Sequence, residues 1–213
     1  MQSFPGELFY KSKTLSAEKA AGTYLFFDTE TTGLPRNWNA PVSDLNNWPR
    51  LVQIAWIFYR DGVKESCGDY IVRPDGFTIP EETSDIHGIT TDRAVKEGVS
   101  LVMVLKEFEN LVREADFLVA HNMSFDEKIM GAEYLRNDMP DILAPKKKIC
   151  TKDETVDFCA IPSPNGFSNY KWPKLSELHV KLFGTEFEDS HNAAADINAT
   201  AKCFWELKKR DIL

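Results

Sequence analysis

No Cys-x-x-Cys pair occurs in this chain. Its four cysteines, Cys67, Cys150, Cys159 and Cys203, are scattered. That spacing excludes a zinc ribbon and a thioredoxin-type motif, and buried free thiols in a reducing compartment are expected. There is no apolar run of the ~18 residues a membrane span requires. Residues 1–22 are polar and lack the apolar core of a secretory signal, so a cytoplasmic protein without a membrane partner is expected. Positive charge is also short: 25 Lys and Arg against 33 Asp and Glu give a net charge of −8. Such a surface does not hold long duplex DNA by phosphate neutralisation alone. It leaves open an enzyme whose positive field comes from bound cations, and two divalent ions would offset half of that charge. Internal repeats and low-complexity segments are absent too.

What is present is enough apolar material, 43% of 213 residues, for one sizeable core. The expected organisation is an N-terminal extension over 1–22 and one domain over 23–213. A short helix is read around Ser16–Ala21, ended by Gly22. Strands are read at Thr23–Glu30, Leu51–Tyr59 and Asp69–Arg73, with a turn at Asp61-Gly62. Short connections make these three antiparallel. Between the first two lies a long loop, Leu34–Arg50, with Trp38, Trp48 and three prolines; its length suggests a functional or lid role, or cover for a sheet edge. Helical spacing of Leu101, Val104, Leu105, Phe108, Leu111 and Val112 predicts a helix capped by Ser100. Phe117–Ala120 reads as a fourth strand. Ser124-Phe125-Asp126-Glu127 matches a capping box, so a helix is predicted to start at Ser124. Helices over Lys174–Phe183, stopped by Gly184, and Asn192–Lys209 follow. The fold class expected is α/β, a mixed sheet of three antiparallel and then parallel strands flanked by helices.

Within that frame one stretch stands out, Phe27-Asp28-Thr29-Glu30-Thr31-Thr32-Gly33, at the end of the apolar run Tyr24–Phe27. Strand side chains alternate, so Asp28 and Glu30 share a face. Like charges in a partly dry site repel, and a divalent cation between them makes the pairing sensible. Gly33 lets the chain turn sharply afterwards. Asp126 falls in a first helical turn, where the helix dipole alone favours an acid. Asp196 sits inside the last helix, where Asp is a poor choice for helix stability. Three alanines, Ala193 to Ala195, precede it and allow close approach to the sheet. His191, five positions earlier, would be roughly 140° away around one ideal helix. It is therefore expected in the preceding loop, over the site.

Asp28-Thr29-Glu30, His121 to Asp126 and His191-Asn192-Ala193-Ala194-Ala195-Asp196 together resemble the three motifs of the DEDDh exonucleases. This is the DnaQ-like group of the ribonuclease H-like fold, which includes the proofreading epsilon subunit of bacterial DNA polymerase III and RNase T. Gln53-Ile54-Ala55, Ile86-His87-Gly88-Ile89-Thr90 and Lys174-Leu175-Ser176-Glu177-Leu178 extend the match over about Thr23 to Leu207. The sister subtype has a tyrosine where this chain has Asn192, so His191 fits the histidine subtype. The resemblance implies two Mg²⁺ or Mn²⁺ ions held by oxygen ligands. Asp28 would bridge them, Glu30 and Asp196 would complete one, and Asp126 would hold the other. His191 would take the proton of the attacking water. The product would be a nucleoside 5′-monophosphate released from a 3′ end.

Candidate substrate contacts are the backbone around Thr31, Thr32 and Gly33 for the terminal sugar, Leu34 as a wedge, Phe125 as a stacking face, and His87 and Asn122. For His87 a bracing role in its loop is the alternative, and for Leu34 and Phe125 it is core packing. His121 and His179 read as braces, and Lys146-Lys147-Lys148 as a solvated charge run or a phosphate contact. The partner expected is a single-stranded nucleic-acid 3′ end, with a DNA polymerase or repair partner possible. The short stretch after Lys208-Lys209-Arg210 favours a stand-alone nuclease over a tethered subunit. Alternatives from the sequence are an exoribonuclease on short RNA and a non-catalytic nucleic-acid-binding or polymerase-associated module.

Overall fold

The computed structural model describes residues 15–164, 169–187 and 192–213. The elements, in chain order, are α1 (Ala17–Ala20), β1 (Thr23–Thr31), β2 (Leu51–Arg60), β3 (Val63–Ile71), α2 (Glu81–His87), α3 (Thr91–Glu97) and α4 (Leu101–Glu114). They continue with β4 (Phe117–Ala120), α5 (Met123–Arg136), β5 (Lys147–Cys150), α6 (Thr151–Glu154), α7 (Val156–Cys159), α8 (Leu175–Phe183) and α9 (Ala193–Lys209). The sheet order is β3-β2-β1-β4-β5. β2 runs antiparallel to both β1 and β3, while β4 joins β1 and β5 joins β4 in parallel. That is the mixed α/β sheet expected from the sequence.

The period-two alternation of β1 and β2 builds two cores. Leu25 and Phe27, with Ile54, Trp56 and Phe58, face α4 and α5. Tyr24 and Phe26, with Ala55 and Ile57, face α9. Ala193, Ile197, Ala201 and Phe204 form the buried stripe of α9, and its small residues bring that helix down onto the sheet. Each fully buried Phe or Ile side chain contributes roughly 1.5–3 kcal/mol. Smaller cores lie between α7, α8 and α9 and under α2 and α3. Among the described residues no helix is long and apolar enough to cross a membrane.

Several local expectations are corrected. β3 begins at Val63, directly after the Asp61-Gly62 turn, and ends before Arg73. Its first half is exposed and polar, so hydrophobic patterning did not mark it. Helix α5 starts at Met123 with Asn122 as its N-cap, and Ser124 forms no capping box. Asn122 has φ 96°, a left-handed conformation that Asn tolerates better than other side-chain-bearing residues. The lysine run lies partly in β5: Lys146 donates to the Arg113 and Ala115 carbonyls, and Lys148 pairs with Glu127 at 3.0 Å. Of the cysteines, Cys159 and Cys203 are buried but Cys67 is exposed. The 34–50 loop packs on α5: Trp48 is buried, Lys128 donates to the Trp38 carbonyl, and Arg136 donates to the Leu45 and Trp48 carbonyls. Arg50 and Arg136 both bind the fully buried Glu133 at 2.9 Å, which ties that loop to α5.

Candidate active site

β4 is short, and that creates the site. Its pairing with β1 runs only to Phe26, opposite Val119. Beyond that point β1 is paired with β2 alone, so the stretch from Asp28 to Thr31 has one open edge. The Thr29 N–H is satisfied there by a side chain: Asp126 Oδ1 accepts from Thr29 N at 3.0 Å and from Thr29 Oγ1 at 2.7 Å. α5 is thereby pinned by its first turn to the middle of the acidic stretch. A register shift follows between Glu30 and Thr31, where β2 carries an extra residue. Bulges of this kind bend a strand and redirect its side chains.

Asp28 and Glu30 point to the α9 side of the sheet, where Asp196 rises from the first turn of that helix and not from its interior as expected, a position the helix dipole favours for an acid. Each of the three offers a carboxylate oxygen, and these oxygens lie within 4.8 Å of one another in a half-buried setting. Among the described residues this is the only cluster of its kind. Burial raises the Asp28 carboxyl well above its ordinary range, and the charges of Asp126, Asp196 and Glu30 raise it further. Glu30 is pushed up to about 8, first by burial and then by Asp196 and Asp126. Asp126, fully enclosed, is pushed up to about 7 by burial; the two Thr29 hydrogen bonds work against that rise. Three crowded oxygen donors that cannot all ionise unaided fit a hard divalent cation. His191 lies outside the described residues. Asn192 caps α9 through its side-chain oxygen, which accepts from Ala194 and Ala195 N–H.

The expected substrate contacts divide. Leu34 is 72% exposed and Trp38 47%, which removes core packing as the role of Leu34. Phe125 is half-buried, with its ring 5.8 Å from that of Trp38. Gly33 has φ 149°, and nothing crowds the position a Cβ would take, so conformation is what requires glycine. The Thr32 N–H is engaged by the Arg50 carbonyl at 3.0 Å and its hydroxyl accepts from Arg50 N, so Thr32 does not offer the donor expected of it. Thr31 Oγ1 donates to the Gly33 carbonyl. Asn122 Oδ1 accepts from Lys152 Nζ at 2.7 Å. The His87 Nδ1 accepts from Ile89 N–H, while its buried Nε2 has no hydrogen-bond partner among the described residues. Burial lowers the His87 pKa, and the nearby Thr31 carbonyl opposes the shift, which sets this ring beside the end of β1. His121 is a brace, bonded to Thr151 and the Pro173 carbonyl, and His179 is another, bonded to the Thr185 carbonyl. Sequence reading missed Thr29, the contact that anchors Asp126, and the Arg50–Glu133–Arg136 knot. A Thr between two acids carries no signal beyond strand propensity.

An open-edged strand carrying two carboxylates, with a third delivered by the closing helix, defines a class, and sequence comparison gives the same one. The model of the RNase T exonuclease family matches residues 25–204, and the chain belongs to that family of DnaQ-like 3′–5′ exonucleases. Similar curated proteins include DNA polymerase III PolC-type from Streptococcus thermophilus, 33% identical over 196 residues, and from Streptococcus mutans, 34% identical over 188. These alignments cover 92% and 88% of this chain but only 12% and 11% of those proteins. The chain thus spans about an eighth of their length. Among solved structures, Escherichia coli Exonuclease I with a dA16 oligonucleotide superposes with a TM-score of 0.70 at 20% identity, covering 89% of this chain and 41% of that one. Exonuclease I from Methylocaldum szegediense gives 0.69 at 19% identity with coverages of 89% and 41%. These two share the fold.

Proposed function

We propose that this protein removes nucleoside 5′-monophosphates one at a time from the 3′ end of single-stranded DNA or frayed 3′ ends, in the cytoplasm. The observation that carries the reading is the gathering of the Asp28, Glu30 and Asp196 carboxylates within 4.8 Å. Asp28, central in the cluster, would be shared by two divalent cations, with Glu30 and Asp196 completing one and Asp126 the other. Bound there, Mg²⁺ or Mn²⁺ supplies positive charge against the scissile phosphate and lowers the pKa of a water. His191 accepts the proton of the attacking water, a role suited to an imidazole near neutral pH. Thr29 keeps the Asp126 carboxylate oriented. The buried His87 ring, beside the Thr31 carbonyl at the end of β1, is a hydrogen-bonding group for the terminal sugar. Leu34 meets the terminal base from the exposed turn, and Phe125 with Trp38 offers ring faces that tolerate any base.

The test uses 5′-labelled single-stranded DNA and RNA of matched sequence, with Mg²⁺, Mn²⁺ or EDTA, and His191→Ala as a control. A metal-dependent ladder shortening from the 3′ end, faster on DNA and lost in the variant, is expected. A faster RNA ladder makes the protein an exoribonuclease, and no ladder on either polymer makes it a binding module.

A further inference from the structure

The end of the sheet that carries Asp28 and Glu30 has a second concavity, away from the carboxylates. A cavity of about 590 Å³ opens between the start of β2, the segment after β3, the N-terminus of α4 and the C-terminus of α5. Arg50, Arg73, Arg136, Phe77, Ser100 and Asn137 are among its walls. In a chain of net charge −8, three guanidinium groups on one cavity are a local reversal of sign. Buried Glu133 and the lining Asp75 offset part of it. α4 adds to the positive side, because its N-terminus lies on the cavity wall, its first turn holds no acid and the Ser100 side chain makes no cap bond.

The arginines are not equivalent. Arg136 is occupied, with its terminal nitrogens on Glu133 and on the loop carbonyls. Arg50 uses Nε for Glu133 and lies over the Phe77 ring at 4.3 Å, which leaves its terminal nitrogens without a side-chain or carbonyl partner among the described residues. Arg73 is exposed, and its side chain makes no hydrogen bond or ion pair among the described residues; only its backbone N–H is engaged, by Val99. Two guanidinium groups with unused donors on a cavity of this size match a phosphodiester, which accepts forked N–H donation.

The cavity's position says which phosphodiester. Arg50 is joined to Thr32, just past Glu30, by two hydrogen bonds: its carbonyl accepts from the Thr32 N–H at 3.0 Å and its N–H donates to the Thr32 hydroxyl at 2.9 Å. Across the sheet Glu30 stands opposite Gln53, which stands opposite Ile71, two residues before Arg73. Two interstrand spacings amount to roughly 10 Å along the sheet; because the cavity lies by the ends of α4 and α5 while Asp28 and Glu30 face α9, a strand reaches both by passing over this end of the sheet. We propose that this cavity binds a backbone phosphate of the substrate strand, upstream of the bond being cut, through Arg73 and the terminal nitrogens of Arg50. The proposal rests on the nuclease reading and adds the site that holds a polyanion on an acidic protein.

Binding of a fluorescein-labelled long oligothymidylate and of a labelled dinucleotide is measured by anisotropy in the Asp28→Asn background, with Arg73→Glu and Arg73→Lys added. Hydrolysis of the p-nitrophenyl ester of thymidine 5′-monophosphate is measured in otherwise wild-type protein. Arg73→Glu is expected to weaken the long oligonucleotide by about tenfold and to lower the slope of log Kd on log salt by about 1. Arg73→Lys keeps most of the affinity, while dinucleotide binding and ester hydrolysis stay unchanged. Equal affinity of Arg73→Glu and its parent for the long oligonucleotide overturns the proposal. So does equal weakening of the dinucleotide, which puts Arg73 in the cleavage cleft. Displacement of the long oligonucleotide by thymidine 5′-monophosphate in the Asp28→Asn parent but not in its Arg73→Glu variant also overturns it, in favour of a free-nucleotide site at Arg73. Absence of ester hydrolysis in the wild type counts against the nuclease reading alone, because the binding arms do not depend on turnover.

Discussion

The two halves of β1 obey opposite rules. From Thr23 to Phe27 the strand is wholly buried and apolar in its core positions, and it is bonded to β2 on one side and β4 on the other. From Asp28 to Thr31 it loses its β4 neighbour and exchanges phenylalanine for carboxylates. The first half holds the fold together and the second strains it, since burial and mutual repulsion raise the pKa of both Asp28 and Glu30. The contrast teaches that a functional segment need not be a loop. A regular strand becomes one when a shorter neighbour stops pairing with it and a helix from elsewhere takes over its open N–H.

The sharpest way to test that contrast is to neutralise the acidic half. Asp28→Asn should lower turnover on the thymidine ester by about a thousandfold, as loss of a transition-state charge contact does. The same change should raise the melting temperature in EDTA, because it removes a buried, repelling carboxyl. Mg²⁺ should raise the melting temperature of the wild type and not of the variant. A drop in stability with turnover intact would break the comparison. In the apolar half, Phe27→Ala should cost about 3–5 kcal/mol in urea unfolding, since Phe27 is fully buried against Phe108.

A pH-dependent effect of similar or smaller size comes from the brace beyond β4. Burial holds the His121 ring down to about 4 from an ordinary 6.5. Between those values the unfolded chain binds the extra proton. Its contribution, at most about 3 kcal/mol, is fully present above pH 6.5 and lost as pH falls toward 4. Urea unfolding from pH 7.5 to 4 should show this slope, and His121→Gln should flatten it. The smallest effect expected is at the junction of the halves. Thr29→Val removes a hydrogen bond to a carboxylate and should cost about 1.5–3 kcal/mol, while Thr29→Ser should keep it. If Thr29→Val leaves both stability and turnover untouched, the bond between β1 and α5 does not orient Asp126.

The sheet was legible where continuous apolar runs marked strands buried on both faces, as in β1 and β2, and where punctuation was clear, as at Gly184 after α8 and Asn192 before α9. It was not legible in β3, whose outward half is Val63-Lys64-Glu65-Ser66. The close fit there is tertiary: a Cβ on Gly68 would lie 2.5 Å from the Trp56 ring. β5 hid inside a lysine run because its pairing with β4 is the only thing that makes it a strand. The capping box at Ser124 failed because Asn122 turned the chain into the helix earlier. In the site, the convergence of Asp28, Glu30 and Asp196 follows from motifs on two elements, β1 and α9. The engagement of Thr32 by Arg50 does not, since a residue's hydrogen-bond partners across the fold leave no local mark.

That Asp196 belongs to α9 also orders events in time. During synthesis the N-terminal meander of β1, β2 and β3 has only near neighbours to find, and it is available to form early. Asp28 and Glu30 are then already side by side. The third carboxylate arrives only after β4 and β5 have been laid against β1 and the last helix has left the ribosome and docked. A partly made domain therefore holds an incomplete acidic cluster, one carboxylate short until α9 docks.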